Sequence, residues 1–141
     1  MKRISMRNMQ RHYRVNSPAL RRQLKWLVQT QFDWPKFDIG VCLVSAQRMA
    51  RLNEEHLGHE GATDVLTFPY SSQPMQAEIY ICPDIAKENA EIHDVTIDRE
   101  LSRYLIHGLL HLSGHDDKLP DQRQRMKIEE NRILRILPYD G

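Results

Sequence analysis

The sequence lacks the features of a membrane protein and of a disulfide-stabilised secreted domain. No apolar run approaches the about 20 residues that a membrane-spanning helix needs. The basic N-terminus has neither the apolar segment nor the small-residue cleavage site of a signal peptide. Only two cysteines occur, Cys42 and Cys82, and they lie far apart in apolar stretches. We therefore expect no membrane partner, two buried free thiols and a cytoplasmic location.

Acidic residues are also missing from the first part of the chain, although the net charge is only +1. Eight basic residues precede the first acidic one, Asp33: Lys2, Arg3, Arg7, Arg11, Arg14, Arg21, Arg22 and Lys25. A second basic group near the C-terminus is mixed with glutamates: Arg123, Arg125, Lys127, Arg132 and Arg135, with Glu129 and Glu130. A cluster of the first kind can follow a phosphate backbone, or it can be a solvated helix face with a polar first strand. The charge pattern alone leaves both interpretations open.

Strand and helix signals predict an α+β fold, and 141 residues suit one domain over positions 1–141 with one core. Apolar and β-branched runs predict four strands, at 4–9, 37–44, 63–68 and 77–82, with Pro69 and Pro83 closing the last two. Capping and proline signals predict five helices, starting near Ser17, Ser45, Pro83, Thr96 and Pro120. The expected architecture is a mixed sheet of about four strands packed by about five helices. Parallel pairing through the two early β-α-β units would require right-handed crossovers.

The most informative segment is Leu105–Asp117, which reads LIHGLLHLSGHDD. His107 and His111 are four residues apart on a predicted helix, so both imidazoles lie on one face, about 6 Å apart along the axis. Gly114 is suited to a left-handed helix end that reverses the chain and returns Asp117 towards the two histidines. We predict that His107, His111 and Asp117 hold one divalent ion, with zinc favoured and one coordination position left open.

Other interpretations of this segment exist. A single histidine on an apolar helix is usually a buried, hydrogen-bonded residue, but two at this spacing would leave several ring nitrogens to satisfy. A structural zinc site usually has four Cys or His ligands, and neither cysteine is near in sequence. A zinc peptidase of the HExxH type has a glutamate directly after the first histidine, where this chain has Gly108. The pattern thus favours a catalytic metal site and argues against proteolysis.

Three blocks of sequence resemble the YbeY family of bacterial endoribonucleases. The strongest is HGLLHLSGHDD at 107–117, which is similar to the family's metal motif. The second combines Leu52-Asn53 with TDVLTFP at 63–69, and the third combines EIYI at 78–81 with KENA at 87–90. The blocks occur in the family's order and cover most of the chain.

The resemblance implies a zinc-dependent, single-strand-specific endoribonuclease. It further implies a role in ribosomal RNA processing, including maturation of the 3′ end of 16S rRNA, and in ribosome quality control. The expected partners are RNA and the small ribosomal subunit, with no DNA. By position, His107, His111 and Asp117 match the family's three metal ligands.

Two departures from the family pattern affect the site. The third ligand is more commonly histidine in the family, so Asp117 replaces an imidazole with a carboxylate, and His115 is an alternative ligand close by. The family's arginine after Leu-Asn, thought to contact the substrate phosphate, aligns with Leu57, which follows His56. His59 could supply a cation there at lower pH, although an exposed loop histidine is the simpler interpretation.

These residues are compatible with three functions. The leading one is a metal-dependent endoribonuclease, in which water or the substrate's 2′-hydroxyl is the nucleophile; the sequence identifies no general base. The alternatives are a small zinc metallopeptidase and a non-catalytic ribosome biogenesis factor with a structural zinc. Chelator-sensitive peptide cleavage would indicate the former. Stabilisation by metal without any cleavage would indicate the latter.

Overall fold

Residues 1–58 and 61–138, which the computed structural model describes, form a mixed four-stranded sheet packed by five helices. The elements are β1 (Lys2–Asn8), α1 (Ser17–Thr30), β2 (Phe37–Leu43), α2 (Ala46–Leu57), β3 (Val65–Ser72), β4 (Met75–Ile81), α3 (Pro83–His93), α4 (Ile97–Leu112) and α5 (Pro120–Ile136). The α+β prediction is confirmed. No helix in this part of the chain is both long and apolar enough to cross a membrane.

The strand order is β1-β2-β4-β3. β1, β2 and β4 are mutually parallel, and β3 runs antiparallel to β4 at the edge. The first β-α-β unit thus gives adjacent parallel strands, as expected. The second does not, because β4 takes the place beside β2 and the β3–β4 hairpin puts β3 on the outside.

The prediction that Pro69 closes the third strand is wrong. β3 runs through Pro69 to Ser72, and its register against β4 shifts between Pro69 and Ser71. Proline has no N–H for a ladder hydrogen bond, but an edge strand with an irregular register accommodates it. The strand also begins later than predicted, at Val65, whose N–H donates to the side chain of Asp64 (2.8 Å).

Helix starts follow the predicted capping signals with one exception. Ser45 and Thr96 accept hydrogen bonds from the backbone three residues on and cap α2 and α4. Helix α1 is capped by Asn16, whose side chain accepts from the N–H of Ala19, and not by Ser17. An amide oxygen one residue earlier satisfies the same free N–H groups of the first turn.

Helix α4 is the central helix that positions the candidate site. Leu105, Ile106 and Leu109 are fully buried in the main core. Gly108 faces the sheet, where a Cβ would lie 3.0 Å from Cγ2 of Ile79, so the absence of a side chain lets helix and sheet approach closely. The buried sheet side of α4 leaves its other side free to face α3 and α5.

A smaller core cluster on the other face of the sheet contains both cysteines. Cys42 and Cys82 are buried free thiols, as predicted. Burial is the largest of the effects that raise the pKa of each thiol. Neither thiol is therefore suited to act as a nucleophile or a metal ligand.

Candidate metal and RNA-cleavage site

A cavity of about 590 Å³ lies between α3, α4 and α5 and reaches the residue that precedes β3. Its lining is mostly polar and charged: Asp64, Asn89, His93, Glu100, Arg103, Tyr104, His107, Asp117, Arg123, Met126, Lys127, Glu130 and Asn131. Two of the three predicted metal ligands, His107 and Asp117, are in this set.

His107 is held between two carboxylates. Its Nδ1 lies 2.7 Å from Oε2 of Glu130, a residue of α5 that is only 8% exposed. Its Nε2 lies 3.8 Å from Oδ2 of Asp117, in the loop after α4. Because an ionised carboxylate only accepts hydrogen bonds, Nδ1 carries a hydrogen, and in the neutral imidazole Nε2 presents its lone pair towards Asp117.

The surroundings of His107 favour its protonated form when no metal competes. Burial lowers the pKa of this imidazole, but the hydrogen bond and charge of Glu130 act in the opposite direction. The negative charges of Asp64 and Asp117 act with Glu130, and together they hold the pKa of His107 above its ordinary value of 6.5. A group that attracts a proton in this way also attracts a metal cation.

His111 lies one turn after His107, in the last turn of α4, and is exposed. The cavity lining, taken over the described residues, does not extend to it. Across residues 1–58 and 61–138, no three His, Cys, Asp or Glu side chains are gathered as ligands of one ion. The three-ligand site therefore stays a prediction, in which the exposed side chains of His111 and Asp117 would complete the set around His107.

The glycine turn brings Asp117 back to His107, and among the described residues the structure shows no ion pair between Asp117 and His111. Gly114 has a positive φ of 110°, and the N–H of His115 bonds to the carbonyl of Leu110 (3.1 Å). The cavity lining contains Asp117 and, within the described residues, not His115. His115 instead acts on Glu129, where its charge helps to lower the carboxyl pKa after the larger effect of Arg132. These positions favour Asp117 over His115 as the third ligand.

The residues around His107 fit zinc. Two donors bound to one tetrahedral zinc at about 2.0–2.2 Å lie roughly 3.3–3.6 Å apart, and His107 Nε2 and Asp117 Oδ2 are 3.8 Å apart. A shift of a few tenths of an ångström would bring both within reach of one ion. Glu130 adds the carboxylate–histidine arrangement that usually supports a metal-ligating imidazole.

Basic side chains border the same cavity. Arg103 contacts Oδ1 of Asn131 (3.0 Å) and lies 3.6 Å from Glu130. Arg123 and Lys127 are exposed on α5, one turn apart, and line the cavity. These cations can bind phosphate groups next to the predicted ion.

His56 and Leu57, at the position of the family's arginine, do not line the cavity as formed by the described residues. Leu57 is the last residue of α2 and is half exposed. The His56 ring packs edge-on against Phe68, with ring centroids 5.5 Å apart. His59 lies outside the described residues.

Besides Asp117, two carboxylates act on His107, and sequence reasoning missed both. In the sequence, Glu130 is one of several charged residues on a mixed-charge helix. No local signal connects it to His107, 23 residues earlier in the chain. Asp64 belongs to the TDVLTFP block, to which the sequence assigns no chemical role. In the structure it lines the cavity, and its negative charge raises the pKa of His107. Its place directly before a strand was the available signal.

Comparisons with known proteins all point to the same family. A profile of the family described as Endoribonuclease YbeY matches residues 5–138. A relative named Endoribonuclease YbeY from Chlorobium luteolum is 40% identical over 101 residues, covering 71% of this chain and 74% of the relative. The protein of the same name from Thermotoga maritima is 38% identical over 94 residues, or 67% of this chain and 63% of its own length.

A solved structure supports the fold. The solution structure of TM1509 from Thermotoga maritima superposes with a TM-score of 0.66 and is 30% identical, covering 93% of this chain and 86% of the other. The expected family is confirmed, whereas the peptidase and non-catalytic alternatives gain no support from the matches. With the family profile spanning nearly the whole sequence, this chain belongs to the endoribonuclease YbeY family.

Proposed function

We propose that the chain is a metal-dependent endoribonuclease that cuts single-stranded RNA with one zinc ion bound by His107, His111 and Asp117. The RNA substrate class is supported by the relatives named Endoribonuclease YbeY. The particular substrate we propose is ribosomal RNA of the small subunit, at the 3′ end of 16S rRNA, with a part in ribosome quality control. We propose the cytoplasm as the location, which suits two buried free thiols.

The observation that carries this proposal is the fixed orientation of His107. The 2.7 Å contact with Glu130 selects the tautomer and aims Nε2 at Asp117, inside a cavity bordered by basic side chains. The carboxylate on Nδ1 is the usual support of a metal-ligating imidazole, and Asp117 stands opposite Nε2, where a second ligand of the same ion would be.

The chain's own residues divide the remaining tasks. A bound zinc ion would supply Lewis-acid stabilisation of negative charge on the scissile phosphate. Arg123 and Lys127 bind phosphates next to the scissile one, and because they stand one turn apart on α5 they can contact two successive phosphates of the strand. Glu130 keeps the imidazole of His107 from turning, and Arg103 keeps Glu130 in place.

The test combines metal content with RNA cleavage. We expect Asp117→Asn to lose stoichiometric zinc and to cut single-stranded RNA about 100-fold or more slowly. The matched control is Asp121→Asn, which removes the same charge from an exposed residue paired with Arg125 at the start of α5. It should keep both properties.

Two results would contradict the proposal. Full cleavage by both His107→Ala and Asp117→Asn in chelator-treated buffer would remove the site from the mechanism. A wild-type protein that gains thermal stability from zinc yet cuts no RNA would indicate a structural ion.

A further inference from the structure

A second groove, distant from the cavity, runs between β1 and α1. It has a volume of about 450 Å³. Four of its lining residues are basic: Lys2, Arg3, Arg21 and Lys25. The other lining residues have neutral side chains, and no acidic residue is among those that the described part of the chain contributes. The groove is therefore a concentrated positive surface on a chain whose net charge is only +1.

Ion pairs within the described residues leave most of this charge unneutralised. No ion pair between side chains of the described residues involves Lys2, Arg21 or Lys25. Arg21 and Lys25 are one helical turn apart on α1, where like charges repel and destabilise the helix. The register of the sheet places one carboxylate nearby, because Asp38 is the β2 neighbour of Arg3. One carboxylate beside four cations leaves a strong excess of positive charge.

The groove and the cavity lie at opposite corners of the sheet. Lys2 lies at one end of the strands, where it pairs with Phe37, which in turn pairs with Met75. Asp64 lies at the opposite end, directly before Val65, which pairs with Ile81. Three inter-strand steps of about 4.8 Å and six residues of about 3.3 Å each give a diagonal of roughly 25 Å. One nucleotide cannot contact both places, so the groove is a separate binding surface.

We propose that the β1–α1 groove binds the sugar–phosphate backbone of the RNA whose scissile bond lies in the cavity. The proposal rests on the proposed endoribonuclease function. Charge complementarity identifies the occupant as a polyanion. Among the described residues, the only aromatic ring in the lining belongs to Phe37, which is buried in the core. The groove therefore offers no platform for bases, and its binding is independent of sequence.

The variant that tests the groove is Arg21→Gln/Lys25→Gln, because both side chains are exposed and neither carries the fold. The matched control is Arg51→Gln/Lys87→Gln, which removes two charges from exposed positions on α2 and α3. Binding of a labelled single-stranded RNA of about 20 nucleotides is measured by fluorescence anisotropy at 50 and 200 mM salt, with Asp117→Asn in every protein to prevent cleavage.

We expect the groove variant to bind this RNA more weakly than the control at 50 mM salt. Two lost phosphate contacts lower the salt slope by about 1.4, so the intact protein should lose about sevenfold more affinity than the groove variant between 50 and 200 mM. With Asp117 restored, the loss of cleavage should be confined to the long RNA and absent from an RNA of about four nucleotides, which cannot span the two corners.

Equal affinity and equal salt slope for the groove variant and the control would overturn the groove proposal. The basic residues would then only protect an edge strand from pairing or bind an acidic protein. Cleavage of the short RNA by the wild type in that case would leave the endoribonuclease proposal intact. Conversely, groove-dependent RNA binding by a protein that cuts nothing would support the groove and refute the endoribonuclease.

Discussion

Replacing Glu130 with glutamine should weaken zinc binding although Glu130 is not a proposed ligand. The carboxylate is 8% exposed and accepts a 2.7 Å hydrogen bond from Nδ1 of His107. A neutral amide supports the imidazole less strongly, and its NH₂ group allows the opposite tautomer, in which Nε2 has no free lone pair. Loss of such a supporting partner costs about 10–100-fold in metal affinity, or about 1.4–2.7 kcal/mol.

The fold should survive this substitution. Glutamine has nearly the same volume, and Arg103 keeps its hydrogen bond to Asn131 (3.0 Å), so α4 and α5 stay linked. Zinc affinity can be measured by competition with a chromophoric chelator on protein whose thermal unfolding has been checked. The matched control is Glu129→Gln, one residue earlier, where the lost carboxylate pairs with Arg132 and faces away from the cavity.

Equal zinc affinities for Glu130→Gln and Glu129→Gln would refute this reasoning. The contact with His107 would then serve helix packing only. A loss confined to Glu130→Gln, with RNA cleavage reduced at limiting zinc and restored at high zinc, would identify Glu130 as a positioning residue for the metal site.

Two further predictions concern stability. Burial opposes protonation of His107, but Glu130 and the nearby carboxylates raise its pKa above 6.5. The metal-free folded protein should therefore hold this proton more tightly than the unfolded chain. The resulting stability is present below the unfolded-state pKa and is lost as the pH rises through the folded-state pKa. Thermal unfolding of chelator-treated wild type and Glu130→Gln between about pH 5 and pH 8 measures this loss. The same pH dependence in both proteins would contradict the prediction. Gly108→Ala puts a Cβ 3.0 Å from Cγ2 of Ile79, which should cost about 1–3 kcal/mol in urea unfolding, whereas an unchanged midpoint would show that α4 can move away from the sheet.

The parts of the site that lie close together in sequence could be predicted. The spacing of His107 and His111, the helix around them and the turn at Gly114 all follow from local rules about helices and glycine. Glu130 could not be predicted because its role depends on how α5 packs against α4. A charged residue on a helix that is polar along most of its length gives no sign of which neighbour it will meet.

The same distinction explains the errors in the fold. The existence and order of the elements follow from patterns within each segment, and the caps at Ser45 and Thr96 are correct. The position of β3 is a long-range property, because either β3 or β4 could have paired with β2. Once β3 lies at the edge, Pro69 no longer interrupts the sheet, and a rule about central strands fails.

The direction of α4 has a consequence for the order in which ligands arrive. The helix ends at Leu112 beside the predicted site, so the negative end of its dipole, equivalent to about half an elementary charge, faces the ligands. Among the described residues, four carboxyl groups also line the cavity against three arginine and lysine side chains: Asp64, Glu100, Asp117 and Glu130 against Arg103, Arg123 and Lys127. When His107 has lost its proton, as metal binding requires, a phosphate approaching the metal-free cavity meets an excess of negative charge, and a divalent cation would reverse it. A nuclease arranged in this way would admit the scissile phosphate to the cavity only after it has bound the proposed metal, whereas binding at the distant β1–α1 groove would not depend on the metal.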